Sequence, residues 1–199
     1  MEEKAKAQVP ADLRILHYGA AALRRPAARI KRLTANLRAL AEQMEALMKK
    51  ADGLGLAAPQ VGVERQLAVV DLGEGPIVLV NPRLLKKEGE EVMVEGCLSL
   101  PGLFGEVKRA AKVLVSATDL SGKAVRIEAE GLPARVLQHE IDHLQGRLFI
   151  DRVEESTLHW LIHAPAREAT APKEAKPEPL AQPTTLQDAL RVFLSRPSS

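Results

Sequence analysis

The chain has 199 residues, 46% of them hydrophobic, and 28 Lys+Arg against 26 Asp+Glu leave a formal net charge of +2. That length supports one buried core plus an appendage, and the near balance of charge gives no sequence-wide argument for nucleic-acid binding. The opening MEEKAKAQVPADLR has no apolar run and no later stretch is apolar for long enough to span a bilayer, so neither a targeting segment nor a membrane partner is expected and a cytoplasmic protein is.

From Thr34 to Lys50, Leu37, Leu40, Met44, Leu47 and Met48 recur at helical spacing, which predicts an amphipathic helix capped by Thr34 and closed before Gly53. The texture then changes to short, mostly β-branched runs that read as strands: 66–72, 76–85, 91–96, 112–120, 123–131 and 147–153. Asp119-Leu120-Ser121-Gly122 lies between two alternating runs and predicts a hairpin turn, hence antiparallel pairing. Leu132-Pro133 opens a second helix that ends near Gly146, with proline tolerated in the first turn. Successive strands with two separated helices argue for an α+β fold, mostly antiparallel sheets packed around the second helix. Beyond a short helix expected over 154–162, the run 164–185 is rich in Ala, Pro and charge and reads as a flexible linker. Residues 185–194 carry a weak apolar face suited to a docking helix. The chain is thereby divided into a catalytic domain over 1–153 and a C-terminal extension over 154–199.

The second helix contains Gln138-His139-Glu140-Ile141-Asp142-His143. Residues four apart share a helix face, so His139 and His143 can reach one ion while Glu140 stands beside it. This is the spacing of helical zinc hydrolases, in which the glutamate serves as general base. Val136 shares that face, while Leu137, Ile141 and Leu144 supply a separate core face. A catalytic site of this kind has three protein ligands and an open position. Candidates for the third are Glu154, Glu155, His159 and His163 downstream, or Cys97 upstream, whose sulfur is the softest donor of the set. Cys97 is the lone cysteine; it excludes an intrachain disulfide and fits a reducing compartment, and core packing is the ordinary fate of such a residue.

Three stretches in order, GLGLAAPQ (53–60), EGCLS (95–99) and QHEIDH (138–143), resemble the three motifs of the peptide deformylases, and the match runs from about Leu13 to Val153. The resemblance implies a hydrolase that removes the N-formyl group from the initiator methionine of new chains, releasing formate. It implies Cys97, His139 and His143 as metal ligands, Glu140 as base, and the Gln60 side-chain amide with the Leu98 backbone N–H as oxyanion donors. Gly53, Gly55 and Gly96 either let main chain approach an extended peptide closely or serve as turn and bulge residues. The resemblance further implies that Leu54, Met93, Leu132 and Val136 line a pocket for the methionine side chain. Arg135, next to Val136, either borders the entrance or points to solvent, and Phe104 stands where some members carry a basic residue. The implied cofactor is one divalent ion, Fe2+ first, with Zn2+, Ni2+ or Co2+ as alternatives. The implied partners are N-formylmethionyl nascent peptides and, transiently, the ribosome; the linker and its terminal apolar face point to the tail as the docking segment. A zinc endopeptidase using a downstream third ligand and a non-catalytic metal-binding module are the competing readings.

Overall fold

A computed structural model describes residues 13–162 and 180–195. Nine strands and three α-helices follow in chain order among them: α1 (Ala35–Lys50), β1 (Gly55–Ala57), β2 (Leu67–Asp71), β3 (Pro76–Glu88), β4 (Glu91–Cys97), β5 (Leu100–Arg109), β6 (Lys112–Thr118), β7 (Ala124–Glu130), α2 (Leu132–Leu144), β8 (His159–Ile162), β9 (Leu180–Pro183) and α3 (Leu186–Leu194). They form two antiparallel sheets, one in the order β1-β2-β3-β6-β7 and the other β4-β5-β8-β9. No helix among the described residues is long and apolar enough to cross a membrane.

The predicted first helix is α1, and Thr34 caps it by accepting from the Leu37 N–H. Its Leu37, Leu40, Met44 and Met48 meet Leu56, Leu67 and Val69 of the five-stranded sheet in one buried cluster. The second helix, α2, lies against the same sheet through Ala134, Val136, Leu137 and Ile141, which pack on Val70, Leu79, Val113 and Val115. Burying Leu137 completely contributes about 1.5–3 kcal/mol. Unlike α1, α2 is buried almost all round, from Ala134 to Leu144, and its Arg135, His139 and Asp142 meet Glu95 of β4 and Val107 and Arg109 of β5.

Three expectations are corrected, and one strand was not expected. Residues 147–153 form no strand: Leu148, Phe149 and Ile150 are buried consecutively in a 3-10 turn over Phe149–Asp151, where the Asp151 carboxylate accepts from the Leu148 N–H. β5, unforeseen, runs through Pro101, Gly102 and Gly105, residues that ordinarily interrupt strands. Gly105 is required there, since a Cβ would press on Val153 and Leu158. The short helix expected over 154–162 is one 3-10 turn (Glu155–Thr157) followed by β8. The expected linker over 164–185 contains β9, which pairs with β8; its part over 164–179 lies outside the described residues.

Candidate metal centre

The site forms where β4 of one sheet meets α2 on the other. The β4–β5 pairing runs in register from Glu91↔Arg109 to Gly96↔Phe104 and then jumps to Cys97↔Leu100. Pro101, Gly102 and Leu103 bulge out at the jump, and such irregularities re-aim the side chains beside them. Cys97 Sγ comes to 3.2 Å from His143 Nε2. Cys97, His139 and His143 each offer one donor atom, all within 4.8 Å of one another. Two ligands of a tetrahedral ion with metal–sulfur and metal–nitrogen bonds of about 2.3 and 2.0–2.1 Å lie about 3.6 Å apart, so these three donors fit a single ion. His159 is elsewhere, its Nδ1 directed at the Thr157 carbonyl 2.8 Å away and its ring stacked on Phe104, while His163 lies outside the described residues.

Electrostatics favour positive charge at that point. The His139 Nδ1–H donates to Glu95 Oε2 at 3.0 Å, which turns Nε2 toward the other donors. Burial opposes a charged His139, but Cys97 and Glu95 outweigh it and hold its pKa at about 10. A cation entering there takes the place of that proton. Burial, aided by the charge of His139, keeps His143 neutral with its lone pair available. Glu140 is pushed up to about 7 by burial, with the negative charge of Glu95 adding to the effect, and its Oε2 is buried without a hydrogen-bond partner. A carboxyl poised near neutrality with a free oxygen suits general acid–base work.

Glu95, to which the sequence reading gave no role, anchors the centre. It is 5% exposed and accepts from Arg109 Nε and Nη2 (2.5 and 2.9 Å) and from Arg135 Nη1 (2.6 Å) besides His139. Burial alone would raise its pKa; the hydrogen bonds from His139 and Arg109 instead hold it far below the usual carboxylate range. Arg135 neither points to solvent nor stands free: it is buried and also donates to the Val107 and Glu91 carbonyls. Arg109 continues to Asp142, which Arg152 grips twice, at 2.7 and 2.8 Å. Strand alternation puts Glu95 on one face of β4 with Met93 and Cys97, but nothing in the local run marks that face as the inner one, since Val92 and Val94 on the other face are the more exposed.

Gln60 sits in a 3-10 turn (Ala58–Val61) just after β1 and is 1% exposed. Its Oε1 accepts from the Ala57 N–H at 2.8 Å, which fixes the amide so that Nε2 faces Ser99 Oγ (3.3 Å) and Cys97 Sγ (3.6 Å). A cleft of about 490 Å³ opens over the centre. Leu54, Gly55, Gln60, Gly96, Cys97, Leu98, Leu132, Val136, His139 and Glu140 line it, as do Phe104 and Arg135. Met93 is not among them, whereas its neighbour Val94 is. Leu54, Val94 and Leu132 remain about half exposed, an apolar rim of the kind that marks a binding site. Two glycines permit close approach: a Cβ on Gly55 would overlap the Glu140 carboxyl, and one on Gly96 would enter the Phe104 ring.

A family model described as polypeptide deformylase matches residues 12–159. The chain is 55% identical over 106 residues to a peptide deformylase of Desulfitobacterium hafniense, covering 53% of this chain and 71% of that one. It is 60% identical over 104 residues to peptide deformylase 1 of Bacillus anthracis, covering 51% and 67%. Among solved structures, the peptide deformylase of Thermotoga maritima superposes with a TM-score of 0.70 at 42% identity, covering 71% of this chain and 97% of that one. The Synechococcus elongatus peptide deformylase in complex with actinonin gives 0.70 at 46% identity, covering 77% and 84%. With three quarters of its length matched by one family model and its fold shared with solved members, this chain belongs to the polypeptide deformylase family.

Proposed function

We infer that this chain is a metal-dependent hydrolase that removes the N-formyl group from the terminal methionine of newly made proteins and releases formate. The observation that carries the reading is the convergence of Cys97, His139 and His143 beside the partnerless Glu140 carboxyl oxygen at the floor of an apolar-rimmed cleft. An ion held by those three residues supplies Lewis acidity, lowering the pKa of water and polarising the formyl oxygen. Glu140 accepts the proton of the attacking water and returns it to the departing amine, and a pKa near neutrality serves both transfers. Gln60 Nε2, already oriented by its carbonyl's bond to the Ala57 N–H, donates to the oxyanion together with the Leu98 N–H. A preorganised donor of this kind contributes about 2.7–4 kcal/mol. Gly55 and Gly96 admit the peptide backbone, and Leu54, Leu132 and Val136 receive the methionine side chain, joined by Val94.

We propose Fe2+ as the working ion, with Zn2+, Ni2+ or Co2+ as substitutes, since a mixed sulfur and imidazole donor set accepts each. We also propose a cytoplasmic enzyme that meets its substrates as they leave the ribosome, which ribosome co-sedimentation checks. The decisive experiment is formate release from a formyl-Met tripeptide by anaerobically purified protein, with metal content measured alongside. Glu140→Gln should retain the metal and lose formate release, whereas Cys97→Ser should lose the metal. Peptide-bond cleavage surviving Cys97→Ser would overturn the reading.

A further inference from the structure

The C-terminal segment is built to dock in cis. Thr185 caps α3, its Oγ1 accepting from the Asp188 N–H at 3.1 Å and donating to Asp188 Oδ2 at 2.7 Å. Leu186, Ala189, Leu190 and Phe193 recur at helical spacing and join the cluster of Leu23, Leu100, Leu103 and Leu158; Ala189 and Phe193 are buried completely or nearly so. Nine residues make a marginal helix in water, so this packing, rather than propensity, holds α3.

Phe193 lies between two rings that lead to the cleft. Trp160 is 5.5 Å away, centroid to centroid, and Tyr18 is 6.4 Å away. Trp160 on β8 pairs with Leu103 within the bulge, and its ring backs Gly102, which has φ +84°. Gly102, Pro101 and Phe104 form one wall of the cleft. Tyr18 donates its N–H to the Ser99 carbonyl at 2.9 Å, and the Ser99 hydroxyl accepts from Gln60. The first route ends at the bulged wall, the second at the turn that carries Cys97 and Leu98.

We propose that the β9–α3 segment is a positioning element of the substrate cleft, with Phe193 as the wedge that sets the bulged wall through Trp160 and the Cys97–Ser99 turn through Tyr18. Phe193 is not among the residues that line the cleft, and acts on it through these neighbours. Because the bulge has no regular pairing with β4, packing from behind is what holds its shape. The proposal rests on the deformylase reading and extends it to the grip on the peptide.

The test compares full-length protein with Phe193→Ala, Phe193→Leu and Val192→Ala, each metal-loaded and assayed well below its unfolding midpoint, with rates normalised to bound metal. For formyl-Met tripeptides, Phe193→Ala should raise KM about tenfold with kcat within about twofold, the pattern of lost ground-state and transition-state binding alike. Phe193→Leu should fall between, and Val192→Ala, on the exposed side of α3, should match the parent. A loss of stability alone reduces the active fraction and leaves KM where it was. Unchanged KM in Phe193→Ala, or in Phe193→Leu should the Ala variant not fold, overturns the proposal. Absence of formate release from the parent protein would instead overturn the deformylase reading itself.

Discussion

Glu95→Ala removes the acceptor of four hydrogen bonds, two from Arg109 and one each from Arg135 and His139. The Arg109 and Arg135 side chains are 3% and 5% exposed, so water cannot replace the lost carboxylate. Removing one partner of a buried ion pair costs about 3–5 kcal/mol. Arg109 keeps Asp142 at 2.7 Å and Arg135 keeps two carbonyls, which places the loss near the lower end, about 3 kcal/mol. Glu95→Gln preserves shape and one acceptor, and should cost roughly half of that. Against a typical domain stability of about 5–15 kcal/mol, the Ala variant loses a fifth or more. The same substitution frees the His139 ring, and losing such an outer-shell partner weakens metal binding about 10–100-fold. Urea unfolding in the presence of a chelator isolates the first effect, and competitive metal titration measures the second. An Ala variant within about 1 kcal/mol of the parent and with unchanged metal affinity would refute the idea that Glu95 anchors both the arginines and the ligand.

Gly55→Ala should abolish formate release while leaving the circular dichroism spectrum intact, because the new methyl displaces Glu140. The overpacking, about 1–3 kcal/mol, should be relieved in the Gly55→Ala/Glu140→Ala double variant, and a double variant no more stable than the single would contradict that contact. Phe149→Ala, at a 1% exposed core position, should lower stability by about 3–5 kcal/mol in urea unfolding, with a loss under 1 kcal/mol arguing against tight packing there. Asp119, bonded first by the Ser121 hydroxyl and then by the backbone N–H groups of residues 121–123, should titrate below its ordinary value in NMR. Its contribution to the hairpin is present above the unfolded-state pKa and fades as pH falls through the lower folded value; Ser121→Ala should move the midpoint upward, and an unmoved midpoint counts against the bond.

Periodicity carried the helices and most strands, because α1 and β2, β3, β6 and β7 bury one continuous stripe or run against a partner. It failed where a tertiary partner overrides a local signal. β5 crosses a proline and two glycines; Gly102 passes under Trp160 and Gly105 under Val153 and Leu158, and no property of the local run announces such neighbours. Residues 147–153 alternate well enough to suggest a strand, yet the Asp151 carboxylate binds the Leu148 N–H and closes a turn. At the centre, spacing on α2 pointed to His139, Glu140 and His143, but only family likeness singled out Cys97. The partners of Glu95 could not be read at all, since Arg109, Arg135 and His139 approach it from 14, 40 and 44 residues away. Met93, expected in the pocket, is absent from the cleft's lining, which takes in the next four residues of β4 from both of its faces.

Cys97 belongs to the four-stranded sheet, whereas His139 and His143 ride on the helix laid across the five-stranded one. An ion shared by these residues is therefore a cross-link between two layers that the chain otherwise joins through side-chain packing and buried ion pairs. Its closed loop of 46 residues, treated as a covalent tether, removes about 4 kcal/mol of chain entropy from the unfolded state. The layers must already be seated before all three donors can reach one point, so ion capture reports completed assembly. An ion held there would serve the chemistry and the joining of the two layers at once.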